Sequence, residues 1–315
     1  MTATIGLDIG GTKILGILLA ADGTVIREAR QASPHTGPDA LVATSESVIA
    51  ELAAPDATVG VGVGVAGLVD HEGTVAYSPN LPLIRDTPLQ RELARATGRN
   101  LVVDNDASVA TLGEATYGAA AGRQHVVLVT LGTGIGGGLL LGGHLYRGAH
   151  NFGGEIGHFT VDPNGPLCAC GERGHWEAIA SGTALGRMAR DLVAHGGGGA
   201  IVAAAGGDPA LVTGLHVGEA AAKGDDDARH LLVQYADNVA LGLAGLANIF
   251  DPETIVVAGG LVELGPLLFG PLRDAFGRHI EAVDYRPAVA IVAAQLGERA
   301  GAIGAAVLAR SLLHA

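Results

Sequence analysis

Two cysteines, one tryptophan and two lysines are all that 315 residues hold of those types. So few cysteines exclude a disulfide framework and make a reducing cytoplasm the default compartment. Aromatic residues are 3% of the chain, so alanine, valine, leucine and glycine must build the core. Basic residues are also scarce. The net charge of −13 has the wrong sign for neutralising nucleic-acid phosphates. A single nucleotide is not excluded, because a few backbone amides can hold it. No apolar stretch of about 18–20 residues is free of charges and glycine clusters, which speaks against a membrane span. The start "MTATIGLDIGG" has no basic segment ahead of an apolar run, so no signal peptide is expected. What is present suffices for a sizeable core. The chain is 48% hydrophobic, and its length fits about two domains of ~100–200 residues each.

Periodicity predicts strands at 4–9 ("TIGLDI") and 14–20 ("ILGILLA"), with "GGTK" turning between them and "ADGTVI" leading into a third. A helix is expected over 38–54, opened by Pro38 and Asp39. "TVGVGVGVAGLVD" (58–70) reads as one glycine-interrupted strand, "LQRELARATG" (89–98) as a short helix and "LVVDND" (101–106) as a strand ending in acids. Helices follow near 181–194 and 227–249, separated by a flexible run, "HGGGGA". A strand at 254–260, another around 288–297 and a terminal helix over 300–313 close the chain.

The opening pattern recurs. "LDIGGTKILGILL" (7–19) overlays "VTLGTGIGGGLLL" (129–141) at a constant offset, Gly10 meeting Gly132 and Gly16 meeting Gly138. Chance is one explanation in a chain with 50 glycines; a duplicated α/β domain is the other. Two G-x-G-x-x-G matches, at Gly62-Gly64-Gly67 and Gly132-Gly134-Gly137, lack the following helix that a dinucleotide fingerprint needs. The turns at Gly10, Gly11 and Thr12 and at Thr133 and Gly134 instead suit a phosphate chain, since glycine permits close backbone approach. Lys13 sits at the end of the first turn. Gly259 and Gly260 form a third cluster, where a flat ring could lie.

In "VVDNDAS", Asp106 reads as the N-cap of a helix beginning at Ala107 and as a general base at a strand end, two roles that are compatible because a cap fixes the carboxylate's direction. Glu155, His158, Glu177 and Asn80 could together supply acceptors for a polyhydroxylated ligand. Cys168 and Cys170 are too close in sequence for an easy mutual disulfide. With His158 and His175 they form a Cys₂His₂ set suited to structural zinc, the alternative being two spare thiols. Such a clamp is expected to position groups for that ligand, and its loss to leave the distant glycine turns folded.

"DIGGTK" (8–13), "DNDA" (104–107), "LGTGIGGG" (131–138), "GGEIGH" (153–158) and "CACGERGHWE" (168–177) resemble the ROK family of sugar kinases and sugar-responsive repressors. The resemblance runs from residue 5 to the last helix. It implies an actin-like ATPase (ribonuclease H-like) fold, two α/β domains with an interdomain cleft. These would be 1–118, joined by the terminal helix 299–315, and 119–298, carrying the zinc loop. It further implies an ATP-dependent hexose kinase that converts glucose to glucose 6-phosphate in the cytoplasm as a homo-oligomer (dimer or tetramer), without nucleic-acid or membrane partners. Asp106 would be the base, and Asn80, Asn105, Glu155, His158 and Glu177 would surround the sugar. ATP would lie on Gly10, Gly11, Thr12, Lys13, Thr133, Gly134, Gly259 and Gly260, with Mg²⁺ oriented by Asp8. Zinc would be held by His158, Cys168, Cys170 and His175. Two departures stand out: His175 replaces a usual third cysteine, and Leu83–Ile84 replaces a frequent glycine–tryptophan pair. N-acetylmannosamine or another hexose remains an alternative substrate, and polyphosphate an alternative donor. A non-catalytic sugar-sensing regulator is the alternative of a different class. A repressor is not expected, since the first phosphate strand begins by residue 5.

Overall fold

The first apolar run forms β1 (Thr4–Ile9), which turns through Gly10–Thr12 into β2 (Lys13–Leu19) and then β3 (Val25–Ala32). The computed structural model describes residues 3–53 and 60–313. Residues 58–59 of the expected glycine-rich strand and residue 54 of the expected helix lie outside them. Helix α1 (Pro38–Leu52) opens on proline, whose missing N–H is no loss in a first turn, and buries Leu41, Val48, Ile49 and Leu52.

The glycine-interrupted run forms two strands, not one: β4 (Val61–Val65) and β5 (Leu68–Val69). They part at Gly67, whose φ of +136° side chains rarely adopt. Next come β6 (Val75–Tyr77), β7 (Arg85–Thr87), α2 (Leu89–Thr97), β8 (Leu101–Asn105) and α3 (Asp106–Tyr117). Helix α2 stops at Gly98 in the left-handed conformation, as its sequence suggests.

Strands β9 (Val126–Leu131), β10 (Ile135–Leu141) and β11 (His144–Tyr146) begin the second half. Helices α4 (Trp176–Ala180), α5 (Gly182–Ala194), α6 (Gly199–Ala204), α7 (Gly214–Ala222) and α8 (Asp226–Phe250) follow. The glycine run expected to be flexible therefore ends inside α6. The chain closes with β12 (Thr254–Ala258), α9 (Pro266–His279), β13 (Ala290–Ala293) and α10 (Ala300–Leu308).

One sheet has the order β3-β2-β1-β4-β8 and another β11-β10-β9-β12-β13, with a small third sheet of β5-β6-β7. Counting each large sheet's own strands along the chain, the two share one order: third, second, first, fourth, fifth. That agreement extends the glycine-turn repeat to whole-sheet topology. The chain divides into two units: Met1–Leu128 with Gly138–Gly154 and Ala294–Ala315, and Val129–Gly137 with Glu155–Ala293. In the first, Ile5, Leu7, Ile9, Val61, Val63 and Leu41 share one core. On the other side of that sheet, α10 lies so close that a Cβ on Gly6 would stand 1.9 Å from the Ala302 carbonyl oxygen. In the second unit, the fully buried Trp176 and Tyr235 supply bulk that the alanine-rich helices lack. Among the described residues no helix is long and apolar enough to cross a membrane.

Candidate active site

Strands β1, β4 and β8 run parallel, and Asp8, Gly64 and Asp104 face each other in one row across them. Ligands in such sheets gather at the carboxyl ends of the strands, where the first turn and the "DND" acids stand. The turn is shaped by its carbonyls. Gly10 N–H donates to Lys13 O (3.0 Å), while the Thr12 and Gly10 carbonyls accept from the Ser33 N–H (3.0 Å) and hydroxyl (2.6 Å). The Gly11 and Thr12 amides take part in none of these bonds. A Cβ on Gly11 would meet the Asn80 carbonyl at 2.8 Å, so this turn packs against the loop that carries Asn80. That loop is fastened by Ser78, whose hydroxyl donates to Ala66 O (2.6 Å) and accepts from Leu81 N–H (3.2 Å).

The structure corrects one expectation about Asp106. The N-cap of α3 is Asn105, whose side-chain oxygen accepts from Ser108 N–H at 2.9 Å. Asn105 Nδ2 donates to Gly67 O (3.0 Å), so both ends of its amide are engaged. Asp106 is the first helical residue, accepting from Ala107 N–H at 2.9 Å, and is not spent on the cap. Desolvation raises its pKa, against the Ala107 N–H, which lowers it. Burial first, and the charge of Asp106 second, raise Asp8 from 3.8 to about 7, while Lys13 opposes them. Lys13 itself pairs with Glu298, which also binds Arg30 at 2.5 Å. Lys13 and Arg30 together hold the Glu298 carboxyl down to about 2.

An acid whose folded pKa lies above its unfolded value costs stability as pH rises, because only the unfolded chain ionises freely. For Asp8 that cost is absent below 3.8, grows between 3.8 and about 7, and is full above. Asp8→Asn should therefore raise the thermal midpoint by several degrees at pH 8, and the gain should vanish near pH 3. Melting curves across pH check this; a variant destabilised at pH 8 would remove the explanation.

Sequence reasoning missed Arg147 and Asn151. Buried Asp104 accepts from Arg147 Nε (2.6 Å), Asn105 N–H (2.8 Å) and Asn151 Nδ2 (3.3 Å). Asn151, with φ of +66°, also donates to Val69 O. These bonds hold the residue before Asn105 and Asp106 in place. No sequence motif marks them; the lone signal is the left-handed conformation that asparagine tolerates.

The second turn repeats the design. Gly132 N–H donates to Gly134 O (3.0 Å), the Gly132 carbonyl accepts from Gly182 N–H (2.7 Å), and the Thr133 carbonyl accepts from the Thr183 hydroxyl (2.7 Å). Glu177 takes the Ile135 N–H at 2.8 Å, a bond joining residues 42 apart. Its other oxygen receives the Cys168 thiol at 3.4 Å. Gly259 ends β12 with φ of +92°, its Cβ position 2.3 Å from Leu131 O at the end of β9. Glu155 precedes a single 3-10 turn, Ile156–His158, and its carbonyl accepts from His158 N–H.

The four expected ligands do converge. One donor atom from each of His158, Cys168, Cys170 and His175 lies within 4.8 Å of the others. The two Nδ1 atoms are 3.3 Å apart, Cys170 Sγ is 3.2 Å from His175 Nδ1, and Cys168 Sγ is 3.9 Å from His158 Nδ1. A tetrahedral zinc with ordinary bond lengths spaces its ligands by about 3.3–3.8 Å, so the donor set fits. Desolvation pushes the Cys168 thiol up to about 11, and a metal would displace that proton. Glu177 joins this loop to the second glycine turn, bonding the Cys168 thiol with one oxygen and the Ile135 N–H with the other.

A family model described as ROK family matches residues 4–311. Over 98% of both chains, the sequence is 38% identical to a glucokinase of Streptomyces coelicolor. It is also 38% identical to a glucokinase of Thermotoga maritima, over 96% of this chain and 95% of that one. Among solved structures, a ROK family glucokinase from Streptomyces griseus, in complex with glucose and AMPPNP, superposes with a TM-score of 0.85. It is 37% identical, covering 98% of this chain and 99% of that one.

Proposed function

Because the chain belongs to the ROK family and has its actin-like ATPase fold, we propose that it is an ATP-dependent hexose kinase converting glucose to glucose 6-phosphate. The observation that carries this is Asp106, a desolvated carboxylate at the end of a parallel strand, left free of the cap and close enough for its charge to act on Asp8 in the strand that leads into the first glycine turn. Asp106 takes the proton of the C6 hydroxyl while that oxygen bonds the γ-phosphorus of ATP and ADP departs. Its raised pKa strengthens it as a base. Amides of the two glycine turns hold the phosphates, and Asp8 would orient a Mg²⁺ ion, which would supply charge neutralisation there. Asn80, Asn105, Glu155, His158 and Glu177 receive the sugar hydroxyls. Asn105 does so with whatever capacity its two backbone bonds leave.

His158, Cys168, Cys170 and His175 would hold a structural zinc, which supplies a four-ligand cross-link and no chemistry of its own. With Nδ1 of His158 in that cluster, Nε2 remains for the hexose. The two free cysteines support a reducing, cytoplasmic setting. A coupled ADP-release assay over a hexose panel tests the reading, with ATP and polyphosphate as donors. The highest kcat/KM is expected for glucose with ATP. Preference for N-acetylmannosamine would shift the substrate, and hexose binding without turnover would make the protein a sensor.

A further inference from the structure

Glu177 stands where sequence reasoning places a sugar ligand, yet its observed contacts are with the second glycine turn and the cysteine loop. One oxygen accepts from the Ile135 backbone N–H at 2.8 Å, and the other receives the Cys168 thiol at 3.4 Å. A second observation points to the same contact. A Cβ added at Gly134 would stand 2.3 Å from Glu177 Oε2, and the three nearest atoms all belong to Glu177. Gly134 is not among the positive-φ residues, so the backbone itself does not call for glycine there. What calls for it is the carboxylate lying against the turn.

The carboxylate is also delivered from a fixed base. Its neighbour Trp176 is fully buried, donates from Nε1 to Asn238 O at 3.0 Å and from its amide to Phe159 O at 3.0 Å. The start of α4 therefore has little freedom, and Glu177 cannot drift from Ile135 without moving that anchor. With Gly182 and Thr183 drawing the Gly132 and Thr133 carbonyls, the turn is gripped from two sides. The Thr133 and Gly134 amides are left out of these bonds. A charged acceptor makes one of the stronger backbone hydrogen bonds, so Glu177 contributes most to this grip.

We infer that Glu177 is a positioning residue for the nucleotide: it holds the 132–135 turn in the shape that presents the Thr133 and Gly134 amides to phosphate. This rests on the kinase reading above, in which that turn binds ATP. One side chain then ties the cysteine loop, a hexose contact and the phosphate turn together. Disturbing the loop is felt by the nucleotide even when no sugar is present.

The test is the dissociation constant of a non-hydrolysable ATP analogue, measured on the full metal-loaded chain without hexose. Glu177→Ala should weaken binding about tenfold, the worth of one charge-assisted hydrogen bond. Glu177→Gln retains an acceptor oxygen without the charge and should recover about half of that loss in free energy, which a merely destabilised loop would not do. Gly134→Ala should weaken binding in the parent chain and add little in the Glu177→Ala background, since the atom it collides with is then gone. Metal content and melting temperature are recorded for each variant. If Glu177→Ala fails to fold, Glu177→Asp, whose shorter arm draws the carboxylate away from the Ile135 N–H and from Gly134, takes its place in both comparisons. Unchanged analogue binding in folded Glu177→Ala, or a Gly134→Ala penalty equal in both backgrounds, would overturn the inference while leaving the kinase reading intact. A parent chain that binds no nucleotide would instead remove the kinase reading, and this inference with it.

Discussion

Replacing Asp106 with asparagine should lower kcat by roughly 10²–10⁴, the usual contribution of a positioned acid or base. Hexose affinity should change little, because asparagine keeps the shape and one acceptor oxygen while losing the basic carboxylate. The substitution is also mild on the fold. Asn105, not Asp106, caps α3, so the helix start keeps its side-chain bond to Ser108 N–H. The expected pattern is a folded protein with unchanged KM for hexose and a collapsed turnover. Steady-state kinetics beside a thermal melt would establish it. A folded variant with parental turnover would mean that another group removes the proton.

The second large effect is expected at the cysteine loop. Elemental analysis should find about one zinc per chain, and Cys168→Ser or His175→Ala should lose it, because a closed shell of four ligands tolerates no vacancy. Local folding is linked to the metal, so residues 158–177 should loosen together. Hexose affinity should fall by at least about tenfold, and nucleotide affinity should fall with it, since Glu177 spans the loop and the Ile135 amide. The sheet built on β1, β4 and β8 belongs to the other unit and should remain folded. His175→Cys should retain metal and much of the activity, both ligand types being suited to tetrahedral zinc. A metal-free protein with full hexose affinity would reduce the cluster to a coincidence of spacing.

Several features were legible in the sequence because they depend on neighbours in the chain. The glycine turns, the apolar strands around them and the helix opened by Pro38 are local, and the offset between residues 7–19 and 129–141 carried the duplication into sheet order. The four ligand candidates fell within 18 residues, short enough for spacing alone to suggest a shared metal. The cap of α3 shows the limit. Asn105 and Asp106 are both good capping residues, and local rules do not choose between them. The choice came from Gly67, whose carbonyl takes the Asn105 amide across 38 positions.

By itself, then, the sequence determined the kinds of residue at each turn, the periodicity of each element and the groups able to do chemistry. Only the tertiary structure decided how those groups are held. Lys13 meets Glu298 across 285 positions, Arg147 meets Asp104 across 43, and Glu177 meets Ile135 across 42. No pattern announces such pairs, because a hydrogen bond depends on distance and direction in space, and folding alone sets these for residues far apart in the chain.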